Sequence, residues 1–204
     1  MKTLIKKDFD EMQKRYRATF FNSLSGFKSL NLVSTKGKNG VSNLAPFNSI
    51  IHIGANPPMI GMIARPETEE HQTLKNIRET GFYTLNHVNK TILNQAHLCS
   101  AKFDEETSEY TKTGLTEYYS ENIESPYVKE SNVKIGLELE SIIPIPINGT
   151  SLVIGKVVEV IIDEKNIEHD GYVKLDQAGT ITCAGLDSYF DVQHISRLPY
   201  ATTN

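Results

Sequence analysis

Several features that would indicate particular functions are scarce or absent in this sequence of 204 residues. It has only two cysteines, Cys99 and Cys183, and they form no Cys-x-x-Cys motif, so we expect buried, inert thiols in a reducing compartment. No apolar run approaches the ~20 residues of a membrane span. The segment from Met1 to Arg15 lacks the apolar stretch of a signal peptide. We therefore predict a cytoplasmic protein.

Other common signatures are missing as well. The formal net charge is −4 and basic clusters such as Lys36-Gly37-Lys38 are short, so a nucleic-acid partner is not expected. The six histidines are scattered without the i, i+4 spacing of a zinc-binding helix, so no metal site is predicted. The sequence contains no Gly-x-Gly-x-x-Gly, no Walker sequence and no Gly-x-Ser-x-Gly. Dinucleotide folds, P-loops and hydrolase chemistry therefore have no support.

The apolar residues that are present favour strands. Hydrophobic residues make up 39% of the chain, which is enough for a sizeable core. We predict helices at 8–19 (with Asp8 as N-cap), 69–80 (stopped by Gly81) and 92–101, and a polar stretch with mixed turns at 102–128. Predicted strands cover 30–35, 49–53, 59–64, 82–86, 134–143, 151–162 and 180–184. Because strands and helices do not alternate regularly, we predict a mainly β fold, a β-barrel with flanking helices, in a single domain spanning 1–204.

One candidate binding segment follows the Asn39-Gly40 hairpin signal. It consists of Asn43, Leu44, Ala45, Pro46, Phe47 and Asn48. Neighbouring alanine and proline leave backbone amides and carbonyls uncovered, which suits an edge that hydrogen-bonds a planar heterocycle. The alternative is a plain turn leading into the next strand.

A second candidate lies where Arg65-Pro66 ends an apolar strand and a helix starts near Gln72-Thr73. A helix N-terminus presents unpaired amides and partial positive charge, and therefore binds anions. Thr73 can donate its hydroxyl, while Arg65 and His71 can add charge-assisted bonds to a phosphate. The alternative is that Arg65 is a surface residue and Thr73 only caps the helix.

Together these residues resemble the flavin reductase-like family of FMN-binding split barrels. The likeness extends from about Phe27 to Tyr200 and rests on the order and spacing of its parts. These are Val33-Ser34-Thr35, the glycine-containing hairpin, Asn43 to Phe47, Asn56-Pro57-Pro58, Arg65, Thr73 to Ile77, Thr80-Gly81-Phe82, Leu85-Asn86, Glu109-Tyr110, Gly114-Leu115-Thr116 and Gly155 to Val160.

The resemblance implies an FMN site and a homodimer that completes it. It places Asn43 to Asn48 along the isoalloxazine ring and ribityl chain, largely through main-chain contacts. It places Ser34 and Thr35 beside the ribityl or phosphate, and Arg65 and the segment His71-Gln72-Thr73 at the phosphate. Asn48 stands where a serine is usual, Gln72 where an aspartate is usual, and His71 where a lysine is usual.

The resemblance also implies a redox function, with the chemistry in the flavin and no catalytic side chain assigned. Electrons would come from NADH, NADPH or a protein donor. However, Asn148-Gly149-Thr150 stands where reductases of the family often carry Gly-Asp-His, which places nicotinamide use in question. Two alternatives stay open: an FMN-carrying electron-transfer or flavin-storage protein, and a heme or pyridoxal-phosphate binder on a related split barrel.

Overall fold

The computed structural model describes residues 1–66, 72–104 and 106–202. Its helices are α1 (Lys6–Glu11), α2 (Lys14–Leu24), α3 (Gln72–Thr80), α4 (Leu93–Leu98) and α5 (Glu109–Thr113), with 3-10 turns at Lys90–Ile92 and Glu164–Asn166. Its strands are β1 (Lys28–Ser29), β2 (Asn31–Lys36), β3 (Ser42–Phe47), β4 (Ile50–Ala55), β5 (Pro58–Ala64), β6 (Phe82–His87), β7 (Glu117–Tyr118), β8 (Tyr127–Val128), β9 (Val133–Ile145), β10 (Thr150–Ile162), β11 (Thr182–Ala184) and β12 (Ser188–Phe190).

The largest sheet has seven strands in the order β3-β2-β6-β9-β10-β5-β4, and every neighbouring pair is antiparallel. The predicted mainly β, split-barrel class is therefore confirmed. The sheet is not closed, because β3 and β4 remain at its two edges. A smaller sheet, β1-β11-β12, pairs Lys28 with Cys183 and so joins residues from both ends of the chain.

Two apolar cores form on opposite faces of this sheet, because successive strand residues point to opposite sides. Leu32 of β2 packs in one core with side chains from α4 and α5. Val33, the next residue, packs in the other core with Leu74 and Ile77 of α3. Strand β2 thus carries helices on both of its faces.

Several predicted element boundaries need correction. The single helix predicted at 8–19 is two helices, because the backbone is extended at Met12 (φ −63°, ψ 135°). Asp8 is not its N-cap but lies in the first turn of α1, where its carboxylate accepts a hydrogen bond from the Ile5 amide at 2.7 Å.

The other predicted helices also differ at their ends. Helix α3 ends at Thr80, followed by Gly81 with φ +79°, a left-handed stop that glycine adopts without strain. The first residues predicted for this helix, 69–71, lie outside the described residues. The helix predicted at 92–101 covers only Leu93–Leu98, and α5 lies in the stretch predicted to be turns. In the described parts of the chain, no helix is long and apolar enough to cross a membrane.

Candidate functional site

Two buried hydrogen bonds join the β2–β3 hairpin to α3. The Asn43 side-chain amide donates to the Thr73 hydroxyl at 3.0 Å, and the Asn76 amide donates to the Thr35 hydroxyl at 3.0 Å. Thr35 and Asn43 are direct partners across the β2–β3 ladder. One rung of the hairpin therefore presents both of its side chains to the same helix.

The amphipathic pattern of α3 explains this contact. Leu74 and Ile77 pack in the core, and the polar residues Thr73 and Asn76 stand one position before each of them. Because residues three apart share a helix face, the two polar side chains border the apolar stripe and reach the hairpin. The sequence patterns predict no role for Asn76. The signal that could have indicated its burial is the three-residue spacing of Thr73 and Asn76, which follows that of Leu74 and Ile77.

The N-terminal turn of α3 carries two of the predicted phosphate residues, Gln72 and Thr73. Thr73 is buried and Gln72 is half-buried at the start of the helix. Thr73 accepts a bond from Asn43, and a hydroxyl that accepts can also donate its hydrogen. Arg65 is exposed directly after β5. No contact between described residues joins Arg65 to Thr73, and His71 lies outside the described residues.

Two predicted residues point to the opposite side of the hairpin. The Tyr110 hydroxyl donates to the Ser34 hydroxyl at 2.8 Å, and the Leu44 amide donates to the Glu109 carboxylate at 2.8 Å. Burial raises the pKa of Glu109, although the bond from the Leu44 amide lowers it. Ser34 and Leu44 are thus engaged with α5 and not with α3.

The candidate segment Asn43 to Asn48 is mostly an edge strand, since β3 spans Ser42–Phe47, and the interpretation as a plain turn is wrong. Ala45, Pro46 and Phe47 are half-buried, and Phe47 packs against the core beneath α3. At about 3.3 Å per residue, Asn43 and Asn48 lie roughly 16 Å apart along the strand. The Asn48 amide donates to the Gly185 carbonyl at 2.8 Å.

Both cysteines are buried and free, as expected. Burial, together with a smaller contribution from the nearby Glu109 charge, raises the pKa of Cys99 to about 12. Burial also raises the pKa of Cys183, and this effect is larger than the lowering of the pKa by a hydrogen bond with Asn48. Thiols held protonated in this way are poor nucleophiles.

The turn between β9 and β10 occupies the position of the reductase triplet. The Asn148 side-chain oxygen accepts from the Thr150 amide at 3.1 Å and from its hydroxyl at 2.7 Å, which closes the turn. A side chain at Gly149 would lie 3.3 Å from the ring of Pro66. The turn therefore packs beside the end of β5 that carries Arg65.

A cleft of about 820 Å³ lies at the tip of the β2–β3 hairpin, by the C-terminal end of α3. Its walls include Lys36, Thr80, Phe82 and Tyr119, and none of the predicted flavin residues lines it. The Lys36 ammonium lies 4.7 Å from the centre of the Tyr119 ring, which is cation–π geometry. The predicted flavin residues therefore lie outside this cleft.

Comparison with known proteins gives consistent relatives. The chain is 30% identical over 154 residues to an uncharacterized protein of Aquifex aeolicus (strain VF5), covering 72% of this chain and 78% of that one. A solved structure of a provisionally assigned flavin reductase with a split barrel domain, from Shewanella frigidimarina NCIMB 400, is 43% identical. Its TM-score is 0.95, and the match covers 98% of this chain and 100% of that one.

Nitrilotriacetate monooxygenase component B from Bacillus cereus has the same fold, with a TM-score of 0.85 and 23% identity over 97% of this chain and 98% of that one. The family model described as a flavin reductase like domain matches residues 28–176. This match spans all seven strands of the largest sheet, including the β2–β3 hairpin, and α3. Family membership supports a flavin cofactor and a flavin-related redox function. The chain belongs to the flavin reductase-like domain family.

Proposed function

We propose that the flavin is FMN and that the protein is an FMN-dependent oxidoreductase of the flavin reductase type. FMN would lie against the β2–β3 hairpin and the start of α3. Asn43 to Asn48 would line the ring and ribityl chain, with Thr35 beside them. Arg65, His71, Gln72 and Thr73 would hold the phosphate.

The observation that carries this proposal is the pair of bonds Asn43–Thr73 and Thr35–Asn76. These bonds connect the strand assigned to the ring with the helix start assigned to the phosphate. The residues fit a flavin phosphate, because a helix N-terminus with a hydroxyl is a good anion site and a guanidinium such as that of Arg65 can add charge-assisted bonds. Ser34 and Leu44 would support the site from behind through their bonds to α5.

Bound FMN would supply reversible electron transfer, which no side chain of this surface can provide. The chain's own residues would bind the cofactor, orient it and leave one side of it open to a donor. We assign no general acid or base, because the side chains that join the hairpin to α3 are amides and hydroxyls.

We further propose that the site is completed in a homodimer through the face formed by β4, β5, β10 and β9. Ile51, Ile53 and Ile143 on these strands are 46%, 37% and 46% exposed. The register places Ile51 with Ile154 and Ile143 with Leu152 on one face of the sheet. An apolar face of this kind on a soluble domain favours association. It lies on the half of the sheet away from β2 and β3, on which α3, α4 and α5 pack.

Sedimentation analysis tests the dimer. Wild-type protein should sediment as a dimer and Ile51→Lys as a monomer, because the lysine places a charge in the apolar contact. Val160→Lys is the control, since Val160 is 52% exposed near the far end of β10. A monomeric wild type would contradict the proposed dimer.

A single domain covering 1–204 and a cytoplasmic location are also proposals. The pairing of Lys28 with Cys183 joins the two ends of the chain in one sheet, which supports the single domain. The free, buried Cys99 and Cys183 are typical of a reducing compartment and support the location.

A second candidate function is an electron carrier of the same fold that does not use nicotinamides. It is favoured by the closed Asn148–Thr150 turn, because Thr150 has a hydroxyl at the position where reductases of the family often carry the histidine of Gly-Asp-His. Stopped-flow mixing of the FMN-loaded protein with NADH and with NADPH separates the two functions. Rapid bleaching of the flavin band supports the reductase, and a stable band over minutes supports the carrier. Failure of the purified protein to bind FMN at all would contradict both.

A further inference from the structure

Helix α5 touches the proposed flavin site from behind through two consecutive side chains. Glu109 accepts a hydrogen bond from the Leu44 amide, and Tyr110 donates one to the Ser34 hydroxyl, each at 2.8 Å. Ser34 and Leu44 are direct partners on the β2–β3 ladder. Both bonds from α5 therefore end on a single rung of the hairpin.

The neighbouring rung is the one that α3 holds. Thr35 and Asn43 come directly after Ser34 and directly before Leu44, and they bond Asn76 and Thr73. Two helices thus clamp adjacent rungs of one hairpin from opposite sides. A shift of the rung on the α5 side must move the rung that faces α3, because the two are joined covalently on both strands.

The chemistry of Glu109 is more demanding than strand stabilisation requires. An edge-strand amide is satisfied by water or by any neutral acceptor. Here the acceptor is the half-buried carboxylate of Glu109. It has no ion-pair partner among the residues that the structure describes. Burial of a carboxylate without an ion-pair partner is costly, which points to a positional role for this hydrogen bond. Tyr110 is buried with its hydroxyl on Ser34.

We propose that Glu109 and Tyr110 are positioning residues for the flavin, which fix the Ser34–Leu44 rung and thereby the Thr35–Asn43 rung against α3. The inference rests on the proposed FMN site. Neither residue needs to touch the cofactor, since both act through the hairpin.

The test measures FMN affinity by fluorescence quenching and the visible circular dichroism of bound FMN, at temperatures where the apo variants are folded. Glu109→Ala and Tyr110→Phe should raise the Kd about five- to thirtyfold, the range expected for one buried hydrogen bond, and alter the visible dichroism. Glu109→Gln keeps an acceptor oxygen and should restore the wild-type Kd to within about threefold. Thr113→Val is the matched control, because among the described residues Thr113 bonds the Glu109 backbone carbonyl and Cys99 but not the β2–β3 hairpin.

The outcomes separate this inference from the proposed function. Wild-type affinity and an unchanged visible spectrum in Glu109→Ala and Tyr110→Phe would overturn the positioning role while leaving FMN binding intact. A loss of apo-protein stability without a change in Kd would also overturn it, since that result indicates a structural role only. If Glu109→Ala fails to fold, Tyr110→Phe decides. No FMN binding by the wild type would overturn both proposals.

Discussion

The amide of Asn43 donates to the hydroxyl of Thr73 across 3.0 Å, and both side chains are buried. The two residues are separated by thirty positions and belong to the two segments that the sequence marks as ring-binding and phosphate-binding. This bond therefore makes the two predicted halves of the site one surface. It also couples them energetically, because neither residue can move without breaking it.

We predict that Asn43 and Thr73 act together in FMN binding. Asn43→Ala should weaken binding about five- to hundredfold, through loss of a buried hydrogen bond that also leaves Thr73 without its donor. The double variant should lose no more than Thr73→Ala alone, because the residues share one interaction. Ser42→Ala, the preceding residue of β3, is the control. Isothermal titration with FMN measures the wild type and the four variants, and strictly additive losses would contradict the coupling.

Arg65 should discriminate FMN from riboflavin. Arg65→Ala is expected to lower FMN affinity by about 1.5–3 kcal/mol through loss of charge-assisted bonds to the phosphate, and Arg65→Ala combined with Thr73→Ala by somewhat more. Riboflavin lacks the phosphate, so its affinity should change little in Arg65→Ala. Arg17→Ala in the exposed α2 is the control. An equal loss for both flavins would show that Arg65 does not contact the phosphate.

The sequence predicts the structure around the candidate site best where contacts are local. Alternating strand residues and the Asn39-Gly40 signal predict the β2–β3 hairpin, and Leu74, Ile77 and Gly81 predict the end of α3. The side to which Ser34 points was not predictable, because it depends on Tyr110, 76 positions away. The sequence marks Glu109 only as part of the family pattern. A hydrogen bond between a carboxylate and an edge-strand amide produces no periodic pattern in the sequence from which it could be predicted.

Gly155 should be required for the packing of Tyr83. A methyl group at Gly155 would lie 2.3 Å from the Tyr83 hydroxyl oxygen and 3.0 Å from Leu137 Cβ. Gly155→Ala is therefore expected to lower the free energy of unfolding by about 1–3 kcal/mol through overpacking. Urea denaturation measures this.

The Tyr83 hydroxyl is buried, and it has no hydrogen-bond partner among the residues that the structure describes. Burial raises its pKa, so it stays protonated. Tyr83→Phe should therefore be neutral or stabilising, and it should recover part of the Gly155→Ala loss. A destabilised Tyr83→Phe protein would show that the hydroxyl has a partner in solution.

His87 should make folding sensitive to acid. Burial lowers the pKa of its ring to about 4, and its Nδ1 lies 3.0 Å from the Thr180 hydroxyl oxygen. The unfolded chain binds a proton below its ordinary pKa of about 6.5, while the folded protein stays neutral until about pH 4. The contribution of His87 is thus fully present above pH 6.5 and is lost as the pH falls towards 4, by about 3 kcal/mol in total.

The variant His87→Gln isolates this contribution, because an amide can bond Thr180 but does not titrate. The free energy of unfolding, measured in urea at several pH values, should fall less steeply in the variant than in the wild type between about pH 6.5 and pH 4. Parallel curves for the two proteins would mean that His87 titrates normally in the fold.

A crystal structure of the protein grown with FMN tests the central claim most directly. We predict electron density for one FMN per chain along β3, with its phosphate at the first turn of α3 near Thr73 and within reach of Arg65. Density in the cleft lined by Lys36 and Tyr119, with the surface around Asn43 and Thr73 empty, would contradict the account.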